Sequence, residues 1–189
     1  MTGAPGSKWS SVFKHIHSST GVDSTDLSES RTYWHDAETP GTKQLMHTGA
    51  YFDPGMEFGT NVEEWSKPFT GVGKRIIKSH TFAHRLDKLK NLGFPIVIVY
   101  RNSFECIEWW KLCGGFDITY PNYQYFKDLD TMWQHIQNEN NDIMEFVHHN
   151  KDKIVSVESN HALCDRLGMA KPTTHHHYKP NDIKVYLYE

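Results

Sequence analysis

The stretch Phe94-Pro-Ile-Val-Ile-Val-Tyr100 constrains this chain more than any other. Its residues are apolar at successive positions and rich in β-branched side chains, so a strand formed here buries both of its faces. A strand of that kind belongs in the middle of a sheet with helices packed on either side, the setting of parallel α/β sheets. Gly93 closes a helical pattern just before it, Phe82, Leu86 and Leu89 within Thr81 to Leu92. Just after it, Ser103 to Cys113 has helical spacing, with Phe104, Ile107, Trp110 and Trp109 expected to turn inward, and Gly114-Gly115 stops it.

The other elements are arranged around that strand. Arg75-Ile-Ile-Lys-Ser-His80 reads as a short buried strand ending in polar residues. Asp128 to Asn150 is the longest helical candidate, with Leu129, Met132, Trp133, Ile136, Ile143 and Val147 close to one stripe. Lys153 to Glu158 is another strand, and Asn160 to Leu167 a short helix ended by Gly168. Ile183, Val185 and Leu187 alternate along Ile183 to Tyr188, the pattern of an edge strand. Ser18 to Gly49 reads as loop or short irregular helix, and it contains Tyr33-Trp34-His35. The aromatic-rich segments Tyr33 to Glu57 and Phe116 to Phe126 read as lids over a binding cleft. The order predicts an α/β fold, a three-layer open and mainly parallel sheet flanked by helices, as one domain over 1–189. Ligands bind such sheets beyond the carboxyl ends of the strands. That rule would gather the Gly3 loop, Lys78 to His80, Arg101 and Glu158 on one rim.

Composition narrows the choice of ligand. With a formal net charge of -3 the chain has no overall field to attract nucleic acid, so an anion site must be local. Six Trp, nine Tyr and ten Phe among 189 residues point to an aromatic-rich core and against extended disorder. No apolar run reaches the roughly 18 residues of a membrane span, and the N-terminus lacks a basic-then-apolar signal pattern. Cys106, Cys113 and Cys164 have no C-x-x-C or zinc-finger spacing. Together these features lead us to expect a cytoplasmic protein with reduced thiols and no membrane partner.

The local anion site is sought in Met1-Thr-Gly-Ala-Pro-Gly-Ser-Lys-Trp-Ser-Ser11. Gly3 and Gly6 let backbone approach a ligand, while Ser7, Ser10 and Ser11 add hydroxyls and Lys8 a cation. From Trp9 onward the apolar residues Trp9, Val12, Phe13 and Ile16 mark one helix face, so the amides of a helix N-terminus would point at whatever the loop holds. An N-terminal coil that merely caps a helix has the same composition.

Four segments together resemble the sulfotransferases that use 3'-phosphoadenosine 5'-phosphosulfate (PAPS), a branch of the P-loop nucleotide fold. Gly3-Ala-Pro-Gly-Ser-Lys-Trp-Ser-Ser11 looks like their 5'-phosphosulfate loop, Pro-x-Ser-Gly-Thr-Thr. Ile76-Ile-Lys-Ser-His80 looks like their strand ending Lys-Thr-His, Ile96-Val-Ile-Val-Tyr-Arg-Asn102 like their strand ending Arg-Asn-Pro or Arg-Asp-Pro, and Val155-Ser-Val-Glu158 like their late strand ending in Glu. The resemblance implies transfer of a sulfuryl group from PAPS to a hydroxyl or amine of a small-molecule or glycan acceptor. It implies that Gly3, Gly6, Ser7, Lys8, Ser10 and Ser11 hold the 5'-phosphosulfate and that Arg101 holds the 3'-phosphate. Lys78, with Lys8, would neutralise charge at the transferring group, and His80 would take the acceptor's proton. No metal is implied. Only two residues precede Gly3, so the strand that feeds the loop is missing or truncated, and Ile183 to Tyr188 is a candidate to fill its place. The serine that follows the arginine by eight residues in the family is here Trp109.

Two other readings stand beside this one. A P-loop kinase or NTPase would need G-x-x-x-x-G-K-[ST], which Gly3 to Ser10 approximates, and an acidic magnesium ligand, for which Glu158 is the candidate. A nucleotide-fold protein that binds a partner without chemistry would account for Gly6 and Trp109. His175-His-His177 reads as solvated loop histidines in preference to a metal site.

Overall fold

The computed structural model describes residues 1–27, 32–36, 43–48, 58–117 and 128–189. Its main sheet has four strands: β1 (Thr2–Gly3), β4 (Ile96–Tyr100), β5 (Ile154–Val157) and β6 (Lys184–Tyr188), in the order β1-β4-β6-β5. A separate antiparallel hairpin pairs β2 (Thr32–Asp36) with β3 (Lys43–Thr48). Helices α1 (Trp9–His17) and α5 (Asn160–Arg166) cover one face of the sheet, while α2 (Leu86–Leu89) and α4 (Leu129–His149) cover the other. A fifth helix, α3 (Ser103–Leu112), packs on α4.

The central strand behaves as its composition requires. Val97 and Val99 pack with Val12, Phe13 and Ile16 of α1, and Ile96 and Ile98 pack with Ile143 and Phe146 of α4. These four of the five β4 residues are buried, and full burial of each such side chain stabilises by about 1.5–3 kcal/mol.

The sheet is mixed, which corrects the mainly parallel expectation. β1 runs parallel to β4, whereas β6 is antiparallel to both β4 and β5. The cause lies before β6: α5 is short, and the chain then returns to the end of β5, where Tyr178 N–H donates to the Glu158 carbonyl at 2.8 Å. β6 therefore starts where β5 finished and must run back. It is also not an edge strand. Tyr186 and Tyr188 cover the face opposite Val185 and Leu187, so both faces are apolar and β6 sits between two neighbours.

The strand that feeds the N-terminal loop is the two-residue β1, with Thr2 opposite Ile98 and Gly3 opposite Val99; Ile183 to Tyr188 does not take its place. Residues 77–79 lie along the free side of β1 without forming a strand. The Met1 amine donates to the Ile77 carbonyl at 2.7 Å and Ser79 N–H to the Met1 carbonyl at 3.1 Å, the bond pair of a parallel ladder cut short by the length of β1. Burial, then the Lys78 charge, pushes the Met1 amine down to about 5.

Three further expectations change. Thr81 to Leu92 is broken into a 3-10 segment His80–Arg85, the turn α2, and a second 3-10 segment Lys90–Leu92, with Gly93 closing it at φ 73°. The hairpin β2–β3 lies within Ser18 to Gly49, the stretch expected as loop, and the β-prone run Tyr33-Trp34-His35 belongs to β2. Phe104 is 64% exposed, while Cys106 and Ile107 carry the buried face of α3. The segments 37–42, 49–57 and 118–127, which include most of the two expected lids, lie outside the described residues. No helix among the described residues is long and apolar enough to cross a membrane.

Candidate anion-binding and catalytic site

The directions of β1, β4 and β5 put their carboxyl ends on one rim, and the loop 4–8 leaves β1 at that rim. Gly3 packs so closely that a Cβ there would meet Ser7 Oγ at 2.7 Å and the Val99 carbonyl at 2.8 Å. Gly6, at φ 77°, would place a Cβ 2.1 Å from the Cys106 carbonyl. Lys8, at φ 63°, is the one non-glycine with positive φ among the described residues, and it precedes the first turn of α1. Strained backbone of this kind costs on the order of 1–3 kcal/mol and persists where surrounding contacts enforce it. The loop is thus pressed between β4, α1 and α3. Ser7 is fully buried, and its hydroxyl has no hydrogen-bond partner among the described residues. Ser10 is half-buried and Ser11 exposed on the first turn of α1, where Ser11 N–H donates to the Lys8 carbonyl at 2.9 Å.

Arg101 follows β4 directly. Its Nη1 donates to the Glu105 carbonyl at 2.9 Å and the Gly6 carbonyl at 3.4 Å, which ties the strand end to the loop. Its Nη2 lies 2.9 Å from Asp182 Oδ1, and the other carboxylate oxygen of Asp182 accepts from Lys8 Nζ at 2.6 Å. Lys8 and Arg101 also approach the Trp109 ring, at 4.6 Å and 5.8 Å from its centroid. Loop and strand end therefore converge on one carboxylate, that of Asp182, which bridges Lys8 and Arg101.

His80 stands beside β1, where Thr2 Oγ1 donates to its carbonyl at 3.1 Å. Its Nδ1 is 2.6 Å from Oε1 of Glu139, a carboxylate with no exposed surface. Donation from Nδ1–H to the carboxylate leaves Nε2 as the basic nitrogen of the neutral ring. Glu139 Oε2 has no partner among the described residues. Beside it on α4, Asn140 Nδ2 donates to the Arg101 carbonyl at 2.8 Å and to Ser103 Oγ at 2.9 Å. One turn of α4 thus supports both His80 and the end of β4.

Of the residues expected in the site, Gly3, Gly6, Ser7, Lys8 and Arg101 are brought together, with Ser10 and Ser11 on the adjoining helix turn. His80 lies across β1 from them. Lys78 points elsewhere: it has no exposed surface, and its Nζ is 3.4 Å from the Phe13 ring centroid and 5.9 Å from that of Trp9. Glu158 is exposed at the end of β5, separated from Arg101 by β6. Burial pushes the Cys106 thiol up to about 12, so it is no nucleophile near neutral pH.

His175 to His177 dock against α1 and α5. His15 stacks on His176 at 3.7 Å between centroids and His161 on His175 at 4.2 Å, so the rings meet by their faces and their nitrogens do not converge. Among the described residues no group of three or more His, Cys, Asp or Glu is arranged to hold a metal ion.

Comparison with protein-family models, with curated proteins and with solved structures gave no match. The site's function is therefore argued from its own geometry. Sequence reasoning missed Asp182, Glu139 and Asn140. A signal for the last two existed: the apolar stripe of α4 steps through Met132, Ile136, Ile143 and Val147, and Glu139 and Asn140 occupy the step it skips. Asp182 had no such signal, because only the insertion of β6 beside β4 brings it to the rim.

Proposed function

We propose that this protein is a sulfotransferase-like enzyme that moves a sulfuryl group from PAPS to an acceptor hydroxyl or amine, on a P-loop-related variant of the α/β sheet. The observation that carries the reading is the convergence at one rim of a glycine-tightened loop with a buried unpaired hydroxyl, two cations, and a histidine backed by a buried carboxylate. Ser7, Ser10, Ser11 and the first-turn amides of α1 suit an anion, and Lys8 and Arg101 supply its counter-charge. When bound, PAPS supplies the activated sulfuryl group, attached through an oxygen to its 5'-phosphate. The protein's part is positioning and charge: His80 takes the acceptor's proton at Nε2, and Glu139 fixes the ring and stabilises the imidazolium that forms. Lys78 has no exposed surface, so of the two lysines Lys8 is the one with access to the rim.

The test is sulfuryl transfer from radiolabelled PAPS to a panel of small-molecule and glycan hydroxyls and amines. Transfer by the wild type that is lost in His80→Ala supports the reading; equal transfer by both removes His80 as the base. Burial of Lys78 and the Asp182 bridge favour a second reading, a fold that binds the nucleotide without chemistry. Binding of adenosine 3',5'-bisphosphate with no transfer to any acceptor would select it. The kinase reading loses support from the position of Glu158, its candidate magnesium ligand, on the far side of β6.

A further inference from the structure

We infer that Asp182 is a resident counter-anion of this site, which an incoming phosphate must displace, and that the exchange makes the site selective for phosphomonoester dianions. The inference deepens the functional reading above and depends on it only for the identity of the nucleotide.

The bridge has the form of a bound oxyanion. One carboxylate oxygen faces Lys8 Nζ at 2.6 Å and the other faces Arg101 Nη2 at 2.9 Å. The Asp182 side chain is held there by a turn: Asp182 N–H and Ile183 N–H both donate to the Lys179 carbonyl, at 2.8 Å and 2.9 Å. Pairing of Lys184 with Tyr100 sets that turn above the end of β4. The group is not locked in. Its side chain is 31% exposed and that of Lys8 is 23% exposed, so both ends of the Lys8 pair meet solvent. Trp109 walls the bridge on one side, which limits water and strengthens charge interactions there.

Charge decides what can replace it. At the bridge two cations face one carboxylate, and Glu105, 3.7 Å from Arg101 Nε with its side chain 42% exposed, is too distant and too solvated to offset the remaining positive charge, which leaves a negative charge to be supplied. A phosphomonoester dianion supplies it, and so gains over Asp182. A monoanion such as a phosphodiester exchanges like for like and gains no net attraction, while competing with a partner tethered at high effective concentration. In adenosine 3',5'-bisphosphate both the 3'- and the 5'-phosphate are monoesters with this charge, as the second pKa of such a group is about 6.

The test uses calorimetric titration at pH 8 with inorganic phosphate and with dimethyl phosphate, on the wild type, Asp182→Asn and Glu105→Gln. Glu105 Oε2 lies 3.7 Å from Arg101 Nε, so its variant measures the effect of simply removing a nearby negative charge. Asp182→Asn should bind phosphate about tenfold or more tighter than the wild type and should bind dimethyl phosphate, which the wild type rejects; Glu105→Gln should change either by less than about threefold. Equal phosphate affinity in wild type and Asp182→Asn, or an equal gain in Glu105→Gln, overturns the proposal. If Asp182→Asn does not fold, hydrogen exchange on the wild type decides. Phosphate should speed exchange at Asp182 and Ile183 and slow it across Gly6 to Ser11, and unchanged or slower exchange at Asp182 and Ile183 overturns the proposal. A gain for phosphate with no binding of adenosine 3',5'-bisphosphate would keep the role of Asp182 and sink the sulfotransferase reading.

Discussion

The two ends of the sheet differ in what they bury. At the carboxyl end the fold encloses Ser7, Lys78, His80, Glu139 and Asn140, and two of these leave side-chain oxygens unpaired among the described residues beside the unpaired Ser7 hydroxyl. At the amino end lies a pocket of about 590 Å³, open to solvent on one side, whose walls include Ile76, Ile77, Phe82, Leu89, Ile96 and Val97. β1 pairs with Ile98 and Val99, and the hollow lies beside the next two residues of β4, Ile96 and Val97. Each buried, unpaired polar group costs about 1–3 kcal/mol, whereas an apolar hollow forms wherever the sheet is incompletely filled. The costly end is therefore the better guide to function, although the other has the conspicuous cavity.

Substitutions at the two ends separate chemistry from stability. The largest effect belongs to His80→Ala, which should lower the rate of sulfuryl transfer by roughly 10²–10⁴-fold while leaving adenosine 3',5'-bisphosphate affinity within a few-fold, as kinetics and calorimetry would record. Next, Ile96→Ala at the apolar end should lower unfolding free energy by about 2–4 kcal/mol in urea titrations with nucleotide affinity unchanged. A large loss of affinity in Ile96→Ala would break the contrast, because it would make the cavity part of the site. Glu139→Gln preserves an acceptor for His80 but removes the charge that stabilises its imidazolium. It should slow transfer by about tenfold with little change in nucleotide binding.

The smallest effect concerns the histidine patch. Burial, then the charges of His176 and Lys14, pushes His15 down to about 4 from an ordinary 6.5. The unfolded chain binds this proton first, so its contribution is present above pH 6.5 and is lost as pH falls from 6.5 toward 4. Discounted for solvent screening, since His15 is only half-buried, this amounts to about 1 kcal/mol. His15→Gln should flatten the acid limb of a denaturation series by that amount and leave nucleotide binding at neutral pH unchanged.

Much of the frame was legible in residue order. The apolar run Ile96 to Tyr100, the stripe of α4 and the stops at Gly93 and Gly168 each reflect a local requirement, and each element lies where that requirement puts it. The direction and place of β6 were not legible, because alternation of Ile183, Val185 and Leu187 is the same for an edge strand and for one flanked by tyrosines. The site divides in the same way. Gly3, Gly6 and Arg101 announce themselves by residue type at element ends, and the loop's tight packing accounts for both glycines. The inward turn of Lys78 depends on how α1 lies over residues 77–79, and the Asp182 bridge joins positions 8, 101 and 182, which only tertiary structure brings together.

The central claim is that the polar rim binds a 3',5'-bisphosphate nucleotide. Thermal unfolding monitored with adenosine 3',5'-bisphosphate, and separately with ATP and magnesium, tests it most directly. At a hundred times its dissociation constant a ligand of the folded state adds about 2.7 kcal/mol. The account predicts a raised Tm with the bisphosphate, a much smaller rise with ATP and magnesium, and loss of the bisphosphate effect in Arg101→Met. Protection by ATP and magnesium alone, or by neither nucleotide, would contradict it.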